Sequence, residues 1–230
     1  GHRSMSPTQA KALRLQPVSL PSPICDLLSS NDVKLPIGIQ DFALLRREGY
    51  AYVDKTRHIS AMLAAGRYLF LSRPRRFGKS LLCSTLKYLF RGEQALFQGL
   101  WIEDKWDWTR RCPVVHLDLS AFGAQSPEEL ARSVESFLRG EAQTHGLQIE
   151  VPSLGSGFSA LIRELSVACG ARAVVIIDEY DKPMLDFVTD AVKAAAMREV
   201  LRGFYGALKA SDPYLQMVFL TGVSKFGKVS

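Results

Sequence analysis

Residues 78–80, Gly-Lys-Ser, are of the types that bind a phosphate chain where a helix begins. An apolar run at 68–71 precedes them, and the basic loop 72–77 leads into a segment whose leucines recur at helical spacing. The unpaired N–H groups and the positive dipole end of a helix start attract anions. This context indicates a Walker A motif, in which Lys79 would reach the β- and γ-phosphates and the Ser80 hydroxyl would bind Mg²⁺.

The motif departs from the general pattern G-x-x-x-x-G-K-[ST], because Arg73 stands at the first glycine position and Pro74 follows it. A Gly-Lys-Ser triplet alone arises readily by chance, so the interpretation depends on the rest of the chain. If it holds, backbone N–H groups of the loop and of the first helical turn would wrap the phosphates of the nucleotide. The nucleotide-binding residues predicted in this way are Arg75, Arg76, Phe77, Gly78, Lys79, Ser80 and Leu81.

An acidic pair, Asp178 and Glu179, ends the most strand-like run of the chain, 173–177. The carboxyl ends of parallel strands line one crevice, which would place this pair beside Lys79 despite the distance in sequence. The pair then forms a Walker B pattern, in which Asp178 would orient Mg²⁺ and Glu179 would polarise the water that attacks the γ-phosphate. The alternative, a polar loop that merely follows a strand, loses weight because a phosphate loop stands upstream.

A third strand-like run, 216–220, ends in polar residues that could contact the same ligand. In NTPases of the additional-strand type, a polar residue at this strand end senses the γ-phosphate. Thr221 and Ser224 are both candidates for that catalytic role, and the sequence does not choose between them. Both residues could equally serve only to close the strand.

Apolar runs alternate with helical patterns, which predicts an α/β fold with a mostly parallel sheet flanked by helices. The predicted strands are 68–71, 113–119, 173–177 and 216–220, and the predicted helices are 55–65, 78–90, 126–146, 158–169 and 190–209. Ser126 and Glu129 have the spacing of a capping box. Residues 1–34 are predicted to be a tag remnant followed by a flexible segment, and residues 35–230 to be one domain.

The composition is that of a globular protein of 230 residues, 47% hydrophobic, with a net charge of +6. A mild positive charge suits an anionic ligand and suits an ordinary surface equally well. The four cysteines are scattered and no histidine clusters with them, so we expect free thiols rather than disulfides or a zinc site, and a satisfied strand histidine at His116. No apolar run reaches the ~18 residues of a membrane helix, and a cytoplasmic location is predicted.

The segments LPIGIQDF, YVDKT, RPRRFGKSLL, IIDEYDKP and FLTGVSKF resemble, in order and spacing, the AAA-ATPase-like proteins. The resemblance covers 35–230, and the segments around Arg73 and Asp178 are its most specific parts. It implies that Arg-Pro-Arg-Arg is a family trait, which accounts in part for the missing glycine. It also implies a P-loop NTPase fold of the additional-strand type, ATP as ligand, and hydrolysis through Lys79, Ser80, Asp178 and Glu179.

In that family the ATPase-like domain commonly precedes a nuclease-like domain of the PD-(D/E)XK type. The resemblance therefore implies a domain that is C-terminally truncated here, with nucleic acid as a partner by analogy alone. A missing fifth strand would leave one edge of the Walker A strand unpaired. We expect the N-terminal segment, a partner chain or a crystal neighbour to cover that edge. A homo-oligomer is a further expected partner.

Three functions are consistent with these features. The first is binding of ATP and Mg²⁺ with ATP hydrolysis, regulating a nuclease-like domain absent from this chain. The alternative is a non-catalytic nucleotide switch or scaffold, which the Arg73-Pro74 loop favours. The third is a nucleic-acid-binding module, favoured by the net charge and by the Trp- and Arg-rich stretch 101–111. The side chains of Arg75 and Arg76 could face a second subunit or nucleic acid, or they could pair with Glu179 or Asp181.

Overall fold

A computed structural model of the chain describes residues 34–224. Four strands lie in this range: β1 (Tyr68–Ser72), β2 (Val114–Asp118), β3 (Ala173–Asp178) and β4 (Leu215–Gly222). The helices are α1 (Phe42–Arg47), α2 (Thr56–Ala65), α3 (Lys79–Phe90), α4 (Pro127–Thr144), α5 (Leu154–Cys169), α6 (Lys182–Leu185) and α7 (Ala191–Ala210). Short 3-10 segments occupy Gln94–Phe97, Leu119–Ala121 and Asp212–Tyr214. The predicted α/β class is confirmed.

The strands form one parallel sheet in the order β1-β4-β3-β2. The last strand of the described chain, β4, is therefore inserted between β1, which leads into the phosphate loop, and β3, which ends at the acidic pair. Parallel strands bring their carboxyl ends to one edge, and the register places Ser72 beside Gly222 and Asp118 beside Asp178 there. This arrangement confirms the predicted parallel sheet of a P-loop NTPase-like fold.

Helices cover both faces of the sheet, because side chains of buried parallel strands alternate between the faces. In β3, Val174 and Ile176 pack in a cluster with residues of α1, α2 and α3. Val175 and Ile177 pack in a second cluster with residues of α4, α5 and α7. By the same alternation, Asp178 ends the strand on the side of α3, the helix that begins with Lys79. The alternation of side chains along β3 therefore determines that Asp178 lies on the same face of the sheet as α3.

Helix α5 begins earlier than the sequence predicted, because of its capping residue. The helix begins at Leu154 rather than at 158, because Ser153 stands before it as a cap. Ser153 Oγ accepts a hydrogen bond from the N–H of Ser156, and Ser156 Oγ accepts one from the N–H of Ser153, both at 3.2 Å. This reciprocal pair satisfies N–H groups that a helix start leaves free.

The capping box predicted at α4 is only half present. Ser126 accepts a hydrogen bond from the Glu129 N–H at 3.2 Å, as expected for the cap. The predicted return bond to the Ser126 N–H is wrong, because the Glu129 carboxylate accepts from the Gln125 N–H at 2.7 Å instead. The helix ends at Thr144, slightly before the predicted glycine stop at 146.

The tryptophans between α3 and β2 mainly anchor this connection on the core. Trp106 packs edge-on against Phe90 with ring centroids 5.3 Å apart, and Trp108 lies 5.2 Å from Phe97. Trp101 remains 37% exposed. Packing against the core therefore accounts for two of the three rings that were considered as stacking surfaces for bases.

Among the described strands, β4 is the one that pairs with β1, which places β1 at the end of the strand order. Tyr68 and Phe70 on this strand are 49% and 38% exposed. The N-terminal segment expected to cover this edge, residues 1–33, lies outside the described residues, as does Cys25. Between residues 34 and 224, no helix is long and apolar enough to cross a bilayer. The cysteines at 83, 112 and 169 are free thiols, as predicted.

Asp41 joins α1 to α3. Its carboxylate accepts hydrogen bonds from the Leu44 N–H at 2.8 Å, from Ser84 Oγ at 3.3 Å and from the Tyr88 hydroxyl at 2.9 Å. The Phe42 N–H donates to Ser84 Oγ at 2.8 Å. Burial acts to raise the pKa of Asp41, but these hydrogen bonds outweigh it and hold the pKa below its ordinary 3.8. Asp41 is thus both a helix cap and a link between two helices.

We expect Asp41→Ala to lower the free energy of unfolding by about 1–3 kcal/mol, because a cap and two cross-helix hydrogen bonds are lost together. Asp190→Ala is the matched control, since Asp190 caps α7 through the Lys193 N–H alone, and it should cost less. Urea denaturation at several pH values measures both. A lowered pKa in the folded state stabilises above pH ~3.8 and loses that effect as pH falls further, so the difference from wild type should shrink in acid. Equal losses in the two variants would contradict the linking role.

Candidate functional site

The predicted phosphate loop connects β1 to α3 at the carboxyl edge of the sheet. Its first residue is tied to β4, because the Arg73 N–H donates to the Gly222 carbonyl at 3.1 Å. Its last residue, Gly78, is the N-cap of α3 and has a φ of +74°, a left-handed conformation that glycine adopts without steric cost. Gly78 has no side chain with which to cap the N–H groups of the first turn. The start of α3 at Lys79 and Ser80 therefore presents donors to the loop, as an anion site requires.

Lys79 folds back over this loop. Its side chain is almost wholly buried, and its Nζ donates to the carbonyl oxygens of Arg73 and Pro74, both at 3.1 Å. The same Nζ lies 3.9 Å from Oε1 of Glu179, which follows β3. A buried ammonium with two carbonyl acceptors and a distant carboxylate is positioned to exchange partners for a polyanion.

The backbone conformation at Arg73 does not require a glycine there. Among the described residues other than glycine, only Arg76 (φ +68°) and Glu179 (φ +51°) have a left-handed backbone. Arg73 is not among them, so its position does not require glycine. Such conformations are costly for residues with a side chain and cluster at functional sites. Here both occur in the two segments predicted to surround the nucleotide.

The tip of the loop is open to solvent. Arg75, Arg76 and Phe77 are exposed, Phe77 by 67%. Within residues 34–224 neither arginine forms an ion pair, so the alternative that they pair with Glu179 or Asp181 is wrong in this structure. The acidic groups already have other partners. The predicted nucleotide-binding residues thus fall into an exposed tip and a half-buried first helical turn, where Ser80 and Leu81 lie.

Asp178 links the ends of β3 and β4. Its Oδ1 accepts a hydrogen bond from the Thr221 hydroxyl and a second from the Glu179 N–H at 3.0 Å. The Glu179 N–H also lies 3.2 Å from Thr221 Oγ1, and the Tyr180 N–H donates to the Thr221 carbonyl at 2.9 Å. Asp178 is 1% exposed and Thr221 is fully buried. These bonds fix the turn that carries Glu179 to its position near Lys79.

Ser224 lies at a different carboxylate, that of Asp181. This buried aspartate accepts from the Val223 N–H at 3.0 Å, and from the Ser224 N–H and hydroxyl at 2.6 and 2.5 Å. The Tyr180 hydroxyl reaches the Ser224 carbonyl at 3.1 Å. Of the two residues considered for sensing the γ-phosphate, Thr221 therefore contacts Asp178, whereas Ser224 contacts Asp181.

Cys83 of α3 and His116 of β2 lie next to Asp178. One potential ligand atom from each of the three residues lies within 4.8 Å of the other two. Burial lowers the pKa of His116, as do the nearby Lys87 and Arg91 charges, and its Nε2 is buried without a hydrogen-bond partner in the described residues. Burial raises the pKa of the Cys83 thiol, and the Asp178 charge adds to that effect. The expectation that His116 is a satisfied strand histidine, apart from the cysteines, is wrong. Residues far apart in sequence meet because α3 packs on β2 and β3.

The structure brings together Lys79, Asp178, Glu179 and Thr221, as the sequence predicted. It adds Asp181, which the sequence analysis did not place in the site. The signal was present, because Asp181 stands in the same acidic run as Asp178. A polar residue after a strand normally indicates a solvated loop, however, and burial of the second aspartate depends on how the segment after β4 folds.

A parallel α/β sheet with an additional strand, a glycine-capped helix after β1 and an acidic end on β3 defines a P-loop NTPase-like protein. The profile of the AAA-ATPase_like family, described as "Predicted AAA-ATPase", matches residues 36–230, and the chain belongs to this family. Nucleotide binding is the property that this membership indicates.

A relative from Azotobacter chroococcum mcd 1, named "Uncharacterized protein in vnfD 5'region", is 43% identical over 198 residues. The match covers 86% of this chain and 38% of the relative, so the chain spans well under half of that protein. No solved structure matches the chain. The relative therefore supports the family membership and adds no activity.

We expect Gly222→Ala to destabilise the protein by about 1–3 kcal/mol, because the new methyl group would overpack a buried junction. A Cβ at this position would lie 2.6 Å from Cδ1 of Tyr180 and 2.8 Å from Oδ1 of Asp181. Gly206→Ala on α7 is the matched control, since a Cβ there meets open space; it should be neutral or stabilise by up to ~1 kcal/mol. Thermal unfolding measures the stability of both variants. A Gly222→Ala protein as stable as wild type would refute the tight packing at this position.

Proposed function

We propose that the chain binds ATP with Mg²⁺ at the carboxyl edge of the sheet and hydrolyses it. The observation that carries this proposal is a buried lysine at a helix start that lies 3.9 Å from a carboxylate, Lys79 Nζ to Glu179 Oε1. At the same edge, Asp178 and Thr221 end neighbouring strands and are hydrogen-bonded to each other. Membership of a family described as predicted ATPases supports a nucleotide as the ligand.

The residues proposed to hold Mg²⁺ are Ser80 and Asp178, whose oxygen atoms suit a hard cation. Asp178 is 1% exposed, and in the described range 34–224 its carboxylate forms no ion pair. A buried carboxylate without a counter-charge is costly, and a cation beside it would offset that cost. When bound, the ion would offset charge on the phosphate oxygens during transfer.

Each remaining residue has a proposed role in the reaction. Lys79 would exchange the carbonyls of Arg73 and Pro74 for phosphate oxygens, while N–H groups of the loop and first turn bind the rest of the phosphate chain. Glu179 would orient a water molecule and accept its proton. The water oxygen bonds to the γ-phosphorus as the bond from that phosphorus to the β–γ bridging oxygen breaks, giving ADP and phosphate. Thr221 would contact the γ-phosphate through its hydroxyl, and Ser224 is the other candidate for that contact.

A non-catalytic nucleotide switch is the alternative function. The proximity of Lys79 and Glu179 bears on this alternative, because a glutamate that stayed beside the lysine after nucleotide binding would not be free to orient water. If nucleotide binding leaves the pair together, the chain would bind ATP and signal its presence without turnover. The two functions share one site, and they differ only in whether Glu179 is released.

A nucleic-acid-binding module is the third candidate. A cavity of about 690 Å³ near the C-terminal end of α3 is lined in part by Arg46, Arg47, Arg91, Trp108 and Arg111. Two of these arginines are already engaged: Arg46 with the carbonyls of Leu96 and Gln98 at 2.8 and 2.6 Å, and Arg47 with Glu93 at 3.4 Å. With part of its charge used internally, this cavity is a weaker candidate than the strand-end site.

The relative that the chain matches is the longer protein, because the match covers 38% of it. We propose that nucleotide binding by this domain regulates a nuclease-like domain, in a cytoplasmic protein that self-associates. This part of the proposal rests on analogy with the family alone.

We expect Lys79→Ala to weaken ATP–Mg²⁺ binding by about tenfold to a hundredfold, because a buried charged donor to the phosphates is lost. Lys209→Ala, on the exposed side of α7, is the control and should bind as wild type does. Isothermal titration with and without Mg²⁺ measures both proteins. Affinity retained in folded Lys79→Ala would remove the phosphate-loop assignment.

Glu179→Gln tests hydrolysis separately from binding. The change keeps the shape of the side chain and removes its capacity as a base, so we expect turnover to fall by about 10²–10⁴-fold with little change in ATP affinity. Glu199→Gln on α7, whose carboxylate is largely exposed, is the control. Phosphate release under saturating ATP–Mg²⁺ is the measurement. A wild-type rate no higher than that of Glu179→Gln would establish the switch instead.

A further inference from the structure

Three side chains on different elements meet beside the proposed nucleotide site: Cys83 of α3, His116 of β2 and Asp178 of β3. One sulfur, one ring nitrogen and one carboxylate oxygen from them all lie within 4.8 Å of one another. The parallel register explains part of this proximity, because His116 stands opposite Ile176, two residues before Asp178. The cluster is therefore built from the sheet and the helix that packs on it, rather than from surface side chains.

One member of the cluster lacks the hydrogen-bond partner that burial normally requires, and a second is a buried carboxylate outside any ion pair of the described residues. Nε2 of His116 is buried and has no hydrogen-bond partner among the described residues. The Asp178 carboxylate, 1% exposed, accepts hydrogen bonds on Oδ1 but forms no ion pair within the described chain. A buried ring nitrogen without a partner, next to a buried carboxylate and a thiol, is an arrangement that a cation would satisfy.

We infer that Cys83, His116 and Asp178 bind a divalent transition-metal ion of the Zn²⁺ type, with water as the remaining ligand. Thiolate and imidazole are ligands of such ions and are poor ligands for Mg²⁺, so the cluster selects a class of metal different from that of the nucleotide site. A set of three protein ligands with one open position resembles catalytic zinc sites rather than closed structural ones.

Metal binding requires a modest change in the cluster. Bonds of ~2.0–2.3 Å in a tetrahedral site place ligand atoms about 3.6 Å apart, so no pair of ligand atoms would need to approach by more than about 1 Å. The Cys83 thiol loses its proton to solvent as the metal–sulfur bond forms, and His116 binds through a neutral ring nitrogen. Binding should therefore release a proton and strengthen as pH rises. Because the ligands are buried, it should also be slow.

This inference gives the proposed ATPase a means of regulation, and that part rests on the proposed function. A Zn²⁺-type ion bound to Asp178 would compete with Mg²⁺ for the carboxylate that is proposed to orient it for ATP hydrolysis. A bound ion would in addition draw Asp178 away from Thr221, its hydrogen-bond partner at the end of β4. Metal at the cluster therefore inhibits turnover by taking a shared carboxylate, without competing for the phosphate loop.

Cobalt titration of the metal-free full chain tests the site directly, because a thiolate–Co²⁺ bond gives a charge-transfer absorption band. The informative pair is Cys83→Ala and the triple variant Cys25→Ala/Cys112→Ala/Cys169→Ala, which keeps Cys83 as the sole cysteine. We expect the triple variant to show the wild-type band. Cys83→Ala should lose the band, and its affinity for Co²⁺ should fall by more than about tenfold. His116→Asn is a second variant that keeps the thiol and should also weaken binding.

Three results of the cobalt titration would contradict the proposed cluster. A band that persists in Cys83→Ala, or that vanishes in the triple variant, would place the metal elsewhere and overturn the inference. No band in folded wild-type protein would overturn it as well. If Cys83→Ala fails to fold by circular dichroism, the comparison of wild type with His116→Asn decides: equal affinities for Co²⁺ would exclude the cluster.

Inhibition of ATP turnover by Zn²⁺ then separates this inference from the proposed function. We expect Zn²⁺ to inhibit wild type at concentrations at least about tenfold lower than those needed for Cys83→Ala. A cobalt band in a chain that neither binds nor hydrolyses ATP would support the metal site and reject the proposed function. Equal inhibition of both proteins by Zn²⁺ would reject the regulatory role of the cluster.

Discussion

The site depends on one buried carboxylate, that of Asp178, at the end of the central strand β3. Its Oδ1 holds the Thr221 hydroxyl from β4 and the Glu179 N–H from its own turn. Those bonds keep Glu179 in a left-handed backbone conformation that a glutamate seldom adopts. They also leave the Glu179 carboxylate 3.9 Å from the buried Lys79 ammonium. This buried, hydrogen-bonded carboxylate thus organises the strand ends and, on our proposal, receives the metal.

Two aspartates stabilise the carboxyl edge of the sheet through different hydrogen bonds. Asp178 connects β3 with β4, and Asp181 binds the segment after β4 through the N–H groups of Val223 and Ser224. Gly222 sits between them with no room for a side chain, because the Tyr180 ring packs against its Cα. The constraint is steric as well as polar, so the positions of Thr221 and Ser224 are fixed by groups on both sides. Pre-positioned groups of this kind lower the cost of assembling a reaction site.

Much of the fold could be predicted from the sequence, because short apolar runs such as 173–177 separate clear helical patterns. Once the sheet is parallel, the carboxyl ends of its strands must meet, and Lys79, Asp178 and Thr221 fall together. The sequence could not choose between Thr221 and Ser224, since the choice depends on which aspartate each residue meets. It also could not show the burial of Asp181. Those features arise from contacts between segments whose spacing in sequence carries no periodic signal.

The cluster beside Asp178 shows the same limit. Nothing in the spacing of Cys83 and His116 suggests a ligand set, because 33 positions and two kinds of secondary structure separate them (116 − 83). Packing of α3 across β2 and β3 brings them within reach of a carboxylate that already serves the strand ends. On our proposals, Asp178 can therefore ligate either Mg²⁺ or a Zn²⁺-type ion. Competition for Asp178 would make the proposed hydrolysis sensitive to metal composition.

The most direct test of this account is a structure of the chain with a non-hydrolysable ATP analogue and Mg²⁺. The account predicts that Lys79 Nζ leaves the carbonyl oxygens of Arg73 and Pro74 and contacts the β- and γ-phosphates at the start of α3. It also predicts Mg²⁺ near the Ser80 hydroxyl and Asp178. A nucleotide bound elsewhere, for example at the arginine-lined cavity near the end of α3, with Lys79 still on its carbonyls, would contradict it.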